Sequence, residues 1–271
     1  MKYWMSIDCF TASIWDNPHL SKKAIAAFLA NLTPDEREAR EHGKFTHLSG
    51  LVYKGIKRGV HIVDPFDWDP QWPVWEAIDP HPRKEHAVIW VGVAPNGELY
   101  IIDDLWIQCG IEELAEMIKE KRSRGHYRVV RTLIDTSSES PDGTRDMTPR
   151  KMLSLNGIHT SLASKFARKA KSIRAVQELL ILKQDNLGDL RPNLYTFSTC
   201  HRVIYEWFHY VWKDDGEEPK KVHDDTMDCL RYIIIDGPRF EVTTKTYRRK
   251  GKPMAGYGGT TCKNKLKGFK T

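Results

Sequence analysis

Apolar positions along this chain recur in two rhythms, and the change from one to the other divides it. Near the start, Ile25, Phe28, Leu29 and Leu32 fall every third or fourth residue behind Ser21, which predicts a short capped helix. Thr33-Pro34 predicts a second helix, because Glu36 completes a capping box around a proline at the first helical position, and Gly43 should end it. Two short helices bury little surface by themselves, so residues 1–66 read as a helical adaptor leaning on something larger. The stretch VDPFDWDPQWP, with three prolines, marks a boundary.

Beyond it the rhythm turns to strands. VWEAIDP (74–80) and HAVIWVGVA (86–94) are rich in β-formers, and Pro95-Asn96-Gly97-Glu98 is a hairpin turn into LYIIDDLW (99–106), giving an antiparallel meander. Ile111, Leu114, Ala115 and Ile118 share one helical face in 111–125, with Gly125 as terminator. Strands are expected at 128–135, 158–163 and 194–198, a basic amphipathic helix at 165–182 and an aromatic-rich helix at 201–212. The last helix begins in KKVHDDTMDCLRYIII, where Asp224, Asp225 and Asp228 run directly into Leu230, Ile233, Ile234 and Ile235. This order predicts an α/β domain over 67–241, a mixed central sheet with an antiparallel edge meander and helices on both faces.

Three aspartates at the mouth of an apolar helix need a reason. At an effective dielectric near 20, like charges about 4 Å apart repel by roughly 4 kcal/mol. One reading is local: Asp224 caps the helix, Asp225 complements its dipole and Asp228 faces water. The other is that residues 225 and 228, three apart on one face, share a cation. Asp79 ends the first strand of the domain and Asp135 the fourth. If those strands are parallel neighbours, both acids emerge at one sheet edge and meet the helix. Carboxylates from three distant segments then suit hard divalent ions such as Mg²⁺ or Mn²⁺, two of which can promote phosphodiester hydrolysis.

Bulk properties narrow the classes. With 271 residues, 40% hydrophobic and 29% charged, the chain is an ordinary globular protein. No apolar run approaches the roughly 20 residues of a membrane span, and the N-terminus lacks a signal-peptide pattern, which places the protein inside a cell. Five scattered cysteines without a Cys-x-x-Cys pair suggest neither a zinc knuckle nor a disulfide framework. The net charge of +6 is concentrated in residues 243–271, which hold nine basic residues and no acid, so the remainder carries about −3. That glycine-rich tail, 242–271, with Arg248, Arg249 and Lys250, suits phosphates, as do Lys165, Arg168, Lys169, Lys171 and Arg174 of the basic helix. A solvated helical face and a solubilising tail are the plainer readings of both. His81 and His223 flank acid motifs, where shaping a turn or touching phosphate is the simpler role than ligating metal. Glu139 and Asp142 could reach the same site from a loop, and Trp68, Trp72 and Trp75 are spaced as packing residues.

Taken together, IDPHP at 78–82, LID at 133–135 and HDDTMDCLRY at 223–232, with WDNPHLSKKAI, LTPDEREAREHGKF and the Gly50–Tyr53 segment upstream, resemble the C-terminal nuclease part of a tailed-virus large terminase subunit. The resemblance covers residues 15 to about 236. It implies an RNase H-like fold and an endonuclease that cuts concatemeric double-stranded viral DNA with Mg²⁺ or Mn²⁺, two ions being expected. It also implies metal ligands at Asp79, Asp135 and the Asp224/Asp225/Asp228 group, and catalytic roles for Asp79, Asp135, Asp225 and Asp228. Its expected partners are DNA, the portal protein, the small terminase subunit and an ATPase domain in cis or trans, with no membrane, in the host cytoplasm during assembly. One departure stands out: GLVYKGIK has two glycines at Walker A spacing but neither the Lys nor the Ser/Thr in place. The chain is therefore expected to be a nuclease separated from its motor or the product of a split gene. The competing classes are a non-catalytic module docking DNA or a portal, and another RNase H-like enzyme of transposase or resolvase type.

Overall fold

In the computed structural model the described residues are 13–30, 37, 41, 50–81, 83–139, 147–164, 169–184, 188–213, 216 and 218–241. Helix α1, Lys22–Ala30, buries Ile25 and Leu29 and leaves Phe28 exposed. The expected second helix lies outside the described residues except at positions 37 and 41. After a one-turn helix α2, Arg58–His61, come β1 (Ile62–Val63), β2 (Pro73–Asp79), β3 (His86–Val93), β4 (Leu99–Ile107), α3 (Ile111–Arg124), β5 (Arg128–Ile134), α4 (Pro149–Leu155), β6 (Ser161–Leu162) and α5 (Lys169–Leu180). A small β7 (Lys183–Gln184) and β8 (Leu190–Arg191) ribbon precedes β9 (Leu194–Phe197), α6 (His201–Trp207) and α7 (Asp225–Asp236).

Seven strands form one sheet in the order β1-β9-β4-β3-β2-β5-β6. The meander β2-β3-β4 is antiparallel as expected, and every other pair is parallel. It occupies the middle of the sheet and not an edge. β9 satisfies the outer edge of β4, and β1 pairs with β9, so the open edge that β4 would present is extended. β3 is buried at every position, which accounts for its unbroken apolar run. Alternation along β2 reveals the two layers. Glu76 receives Arg122 of α3 at 2.6 Å, whereas its neighbour Trp75 donates from Nε1 to Asp236 of α7 at 3.1 Å, placing these helices on opposite faces. Glu76 is fully buried, and the Trp90 indole at 2.6 Å and the Arg122 pair compensate its charge.

The core joins these strands to Ile118, Val176, Trp207, Leu230 and Ile233 of the helices. Val52, Tyr53 and Ile56 belong to it as well, so the last part of the segment expected to act as an adaptor is built into the sheet domain. Trp68 and Trp72 pack edge to face at 4.8 Å, and the Trp68 ring rests on Gly92, where a Cβ would come within 2.0 Å of it. One irregularity sets the register at the C-terminal ends of two central strands. β2 and β5 pair as Val74 with Val129 and then Trp75 with Arg131, leaving Val130 as an extra residue on β5.

Candidate functional site

Past that bulge, Ile78 lies beside Ile134, so the next residue of each strand, Asp79 and Asp135, leaves the sheet level with the other at the same edge. Helix α7 packs across β2, β3 and β5 with its first turn at this end. Asp79, Asp135, Asp224, Asp225 and Asp228 therefore line one pocket of about 440 Å³. The five aspartates offered as metal ligands in the sequence converge there. The local reading of Asp224 does not hold: it occupies the capping position, yet its side chain makes no capping hydrogen bond. The cap comes from α6. Glu206 accepts from Thr226 N at 2.8 Å, Thr226 Oγ1 at 2.6 Å and Met227 N at 3.2 Å, and its other oxygen accepts from Arg202 Nε at 2.7 Å. Asp224 is thereby released to the pocket wall, where Lys169 Nζ stands 3.7 Å away.

Several of these carboxylates have one oxygen tied. Asp135 Oδ2 accepts from Ser137 N at 3.1 Å and from the Ser137 hydroxyl. Asp225 Oδ2 accepts from Trp106 Nε1 and Arg202 Nη2, each at 3.4 Å. Asp228 Oδ1 accepts from Arg231, a guanidinium only 6% exposed that also donates to Ser172 Oγ at 3.1 Å. Each carboxylate is thus oriented by a partner behind it.

His81 sits between two of them, with Nε2 3.5 Å from Asp79 Oδ2 and 3.4 Å from Asp225 Oδ1. These contacts are long: Nε2 is buried and has no hydrogen-bond partner, so the pairing is one of charge. The carboxylates of Asp225 and Asp79 raise His81 to about 10 against the opposing effect of burial. Burial pushes Asp79 up to about 6, with Asp228 and Asp135 adding to the rise and His81 countering it. Burial would also raise Asp225, but His81, Trp106 and Arg202 outweigh it and hold Asp225 below its ordinary value. Asp224 is raised by burial and then by Asp228. Like charges gathered beside a core favour a bound cation.

Asp79, His81 and Asp225 each offer one ligand atom, all within 4.8 Å of one another. This donor set fits a divalent ion: two carboxylate oxygens and a buried imidazole nitrogen that lacks another partner. His81 was the less favoured candidate in the sequence, where nothing distinguishes it from a turn residue; its backbone is indeed fixed by the loop, through His81 N donating to His86 Nδ1 at 3.0 Å. His223 is absent from the pocket lining, and it adopts a left-handed φ of 58° against Tyr205. Glu139 pairs with Arg150 at 2.5 Å, and Asp142 lies outside the described residues. Of the basic candidates, Lys169 lines the pocket, Lys171 and Arg174 are exposed, and Lys165, Arg168, Arg248, Arg249 and Lys250 fall outside the described residues. Sequence reasoning passed over Lys84, Lys221 and Tyr232, which line the pocket, and Glu206 and Arg202, which support it. The one available signal was that Lys84 and Lys221 each stand close to an acid motif.

No protein-family model and no curated protein sequence matches this chain. Solved structures do. The large terminase from a thermophilic bacteriophage aligns with a TM-score of 0.61 at 19% identity, covering 83% of this chain and 54% of that protein. The chain thus spans about half the length of that terminase. The P22 large terminase nuclease domain aligns with a TM-score of 0.57 at 14% identity, over 73% of this chain and 97% of that domain. This chain has the mixed α/β, RNase H-like fold of a terminase nuclease domain. Among the described residues, no helix is long and apolar enough to cross a membrane.

Proposed function

We propose that this chain is a divalent-metal-dependent endonuclease that cuts double-stranded concatemeric DNA during viral genome packaging. One observation carries the reading: on the fold of a terminase nuclease domain, five carboxylates from two strand ends and one helix line a single pocket with three lysines, Lys84, Lys169 and Lys221. Asp79, His81 and Asp225 would hold one ion, and the remaining carboxylates of the pocket, Asp135, Asp224 and Asp228, would be the oxygen donors open to a second, a donor set that favours Mg²⁺ or Mn²⁺. When bound, a pair of such ions activates water and stabilises the leaving oxygen of a phosphodiester. The chain's own residues do the rest. Arg202, Trp106 and Arg231 orient Asp225 and Asp228, Ser137 orients Asp135, and the lysines draw in the flanking phosphates. Lys165, Arg168 and Lys171, with Arg248, Arg249 and Lys250 of the basic tail, are the further candidates for phosphate contact.

In this reading residues 1–66 lead from an ATPase partner supplied in cis or trans and end inside the sheet domain through Val52, Tyr53, Ile56 and β1, 67–241 form the rest of the nuclease and 242–271 form a DNA-binding tail. A portal protein and a small terminase subunit are the further partners, in the host cytoplasm. The test is conversion of supercoiled plasmid with Mn²⁺ or Mg²⁺. Wild type is expected to nick and linearise it, EDTA to stop the reaction, and Asp79→Asn and Asp135→Asn each to lower the rate by at least about 100-fold, a barrier change of about 3 kcal/mol. Unchanged cleavage by either variant refutes the assigned roles, and salt-sensitive DNA binding with no cleavage under any divalent ion points to a docking module.

A further inference from the structure

The aromatic-rich segment at 201–212 is only half used by the core. Its inner side buries Val203, Glu206 and Trp207, while Arg202 and Tyr205, three apart on α6, and His209 in the turn that follows lie on the outer side. Their planar groups form a row. The Arg202 guanidinium lies 3.8 Å over the Trp106 ring and 5.5 Å from the Tyr205 ring, and Tyr205 stacks on His209 at 4.0 Å with 13° between the planes. His223 stands edge-on to Tyr205 at 5.0 Å. Trp106 and Tyr205 remain 37% and 40% exposed, and His209 is exposed.

The row begins at the carboxylate pocket, because Trp106 and Arg202 both donate to Asp225 Oδ2. An exposed, pre-stacked run of planar groups beside a carboxylate pocket edged by Lys221 matches one chemistry: flat, uncharged rings carried on an anionic backbone. An intact duplex hides its base faces in its own stack and shows them only at its ends. We propose that Trp106, Arg202, Tyr205 and His209 form a stacking surface for unpaired bases of the DNA strand adjoining the scissile phosphate, so that the substrate engages as opened duplex or as an overhang. The proposal rests on the nuclease reading for the position of that phosphate, but its test needs no cleavage.

A short oligonucleotide carrying 2-aminopurine, single-stranded or in a blunt duplex, is titrated with the full chain in EDTA. Single-strand binding is expected to quench the fluorophore. Tyr205→Leu combined with His209→Leu should weaken it by about 5- to 150-fold and remove the quenching, with duplex affinity changed less than about twofold. Tyr205→Trp, which preserves a stacking ring, should retain both binding and quenching. Single-strand affinity unchanged in the double variant, or an equal loss on duplex, overturns the proposal. Plasmid cleavage run in parallel separates the two readings: quenching without cleavage supports the stacking surface and removes the nuclease, whereas cleavage without quenching does the reverse.

Discussion

Replacing Glu206 by alanine tests how the site helix is held. The side chain is wholly buried, and one oxygen caps Thr226 N and Met227 N at the start of α7 while the other binds Arg202. Burial pushes the carboxyl up to about 7, against the pull of Thr226 and Arg202, so at pH 8 the group is ionised and all four donors are engaged. Alanine leaves two buried backbone N–H groups without an acceptor, at about 1–3 kcal/mol each. It also breaks an ion pair whose removal from the interior costs about 3–5 kcal/mol. These losses share atoms and do not add, and Arg202 keeps Asp225 and the Trp106 face. The expected destabilisation is about 3–5 kcal/mol, a large part of the roughly 5–15 kcal/mol that holds a domain folded. Glu206→Gln keeps the acceptor toward α7 but turns an amide toward Arg202, and should cost about half as much. Urea unfolding followed by circular dichroism at pH 8 measures both. A Glu206→Ala variant within 1 kcal/mol of wild type would show that α7 finds its cap elsewhere and that Glu206 is not what holds the two helices together.

Three further outcomes are expected of the same structure. Gly92→Ala drives a Cβ into the Trp68 ring and should cost about 1–3 kcal/mol in urea unfolding; pairing it with Trp68→Leu should cost less than the sum of the singles, and strict additivity would deny the contact. Arg231→Met leaves Asp228 without its buried partner and should cost about 3–5 kcal/mol, part of which returns in Arg231→Met with Asp228→Leu; no recovery in the double variant counts against the pairing. For His81, the folded value of about 10 lies above the ordinary 6.5, so its stabilisation is complete below pH 6.5 and is lost as pH rises through 10. In EDTA the melting temperature should therefore fall between pH 7 and pH 10, and His81→Gln should flatten that fall; identical slopes in the two proteins would exclude charge pairing with Asp79 and Asp225.

The strands and the site helix were legible because each acid closes, or opens, an apolar run whose period identifies its element. Asp79 and Asp135 end runs of β-formers, and Asp225 and Asp228 stand three apart ahead of Leu230 and Ile233. That local grammar was sufficient to bring five aspartates to one edge. The meander's central position was not legible, because it depends on β9 pairing with β4 across almost a hundred intervening residues, and neither strand's pattern encodes its neighbour. Glu206 was hidden for a related reason: an acid inside an aromatic helix reads as surface until the helix it caps, twenty residues later, is folded against it. His81 needed both Asp79 and Asp225 in place before its position between them meant anything.

Val130, the supernumerary residue of β5, stands exposed where two stretches of pairing meet. Upstream of it β2 and β5 run with one offset, and downstream with an offset one larger, which works like a vernier between two rulers. Deleting that single valine would let Arg131 follow Val129 directly, so the two offsets merge and Ile78 stays beside Ile134. One further residue lost from β5 would have no such slack to draw on: it would slide the strand end by about 3.3 Å and turn Asp135 away from Asp79. A mutational scan limited to the pocket would miss the one residue of slack between its two rims.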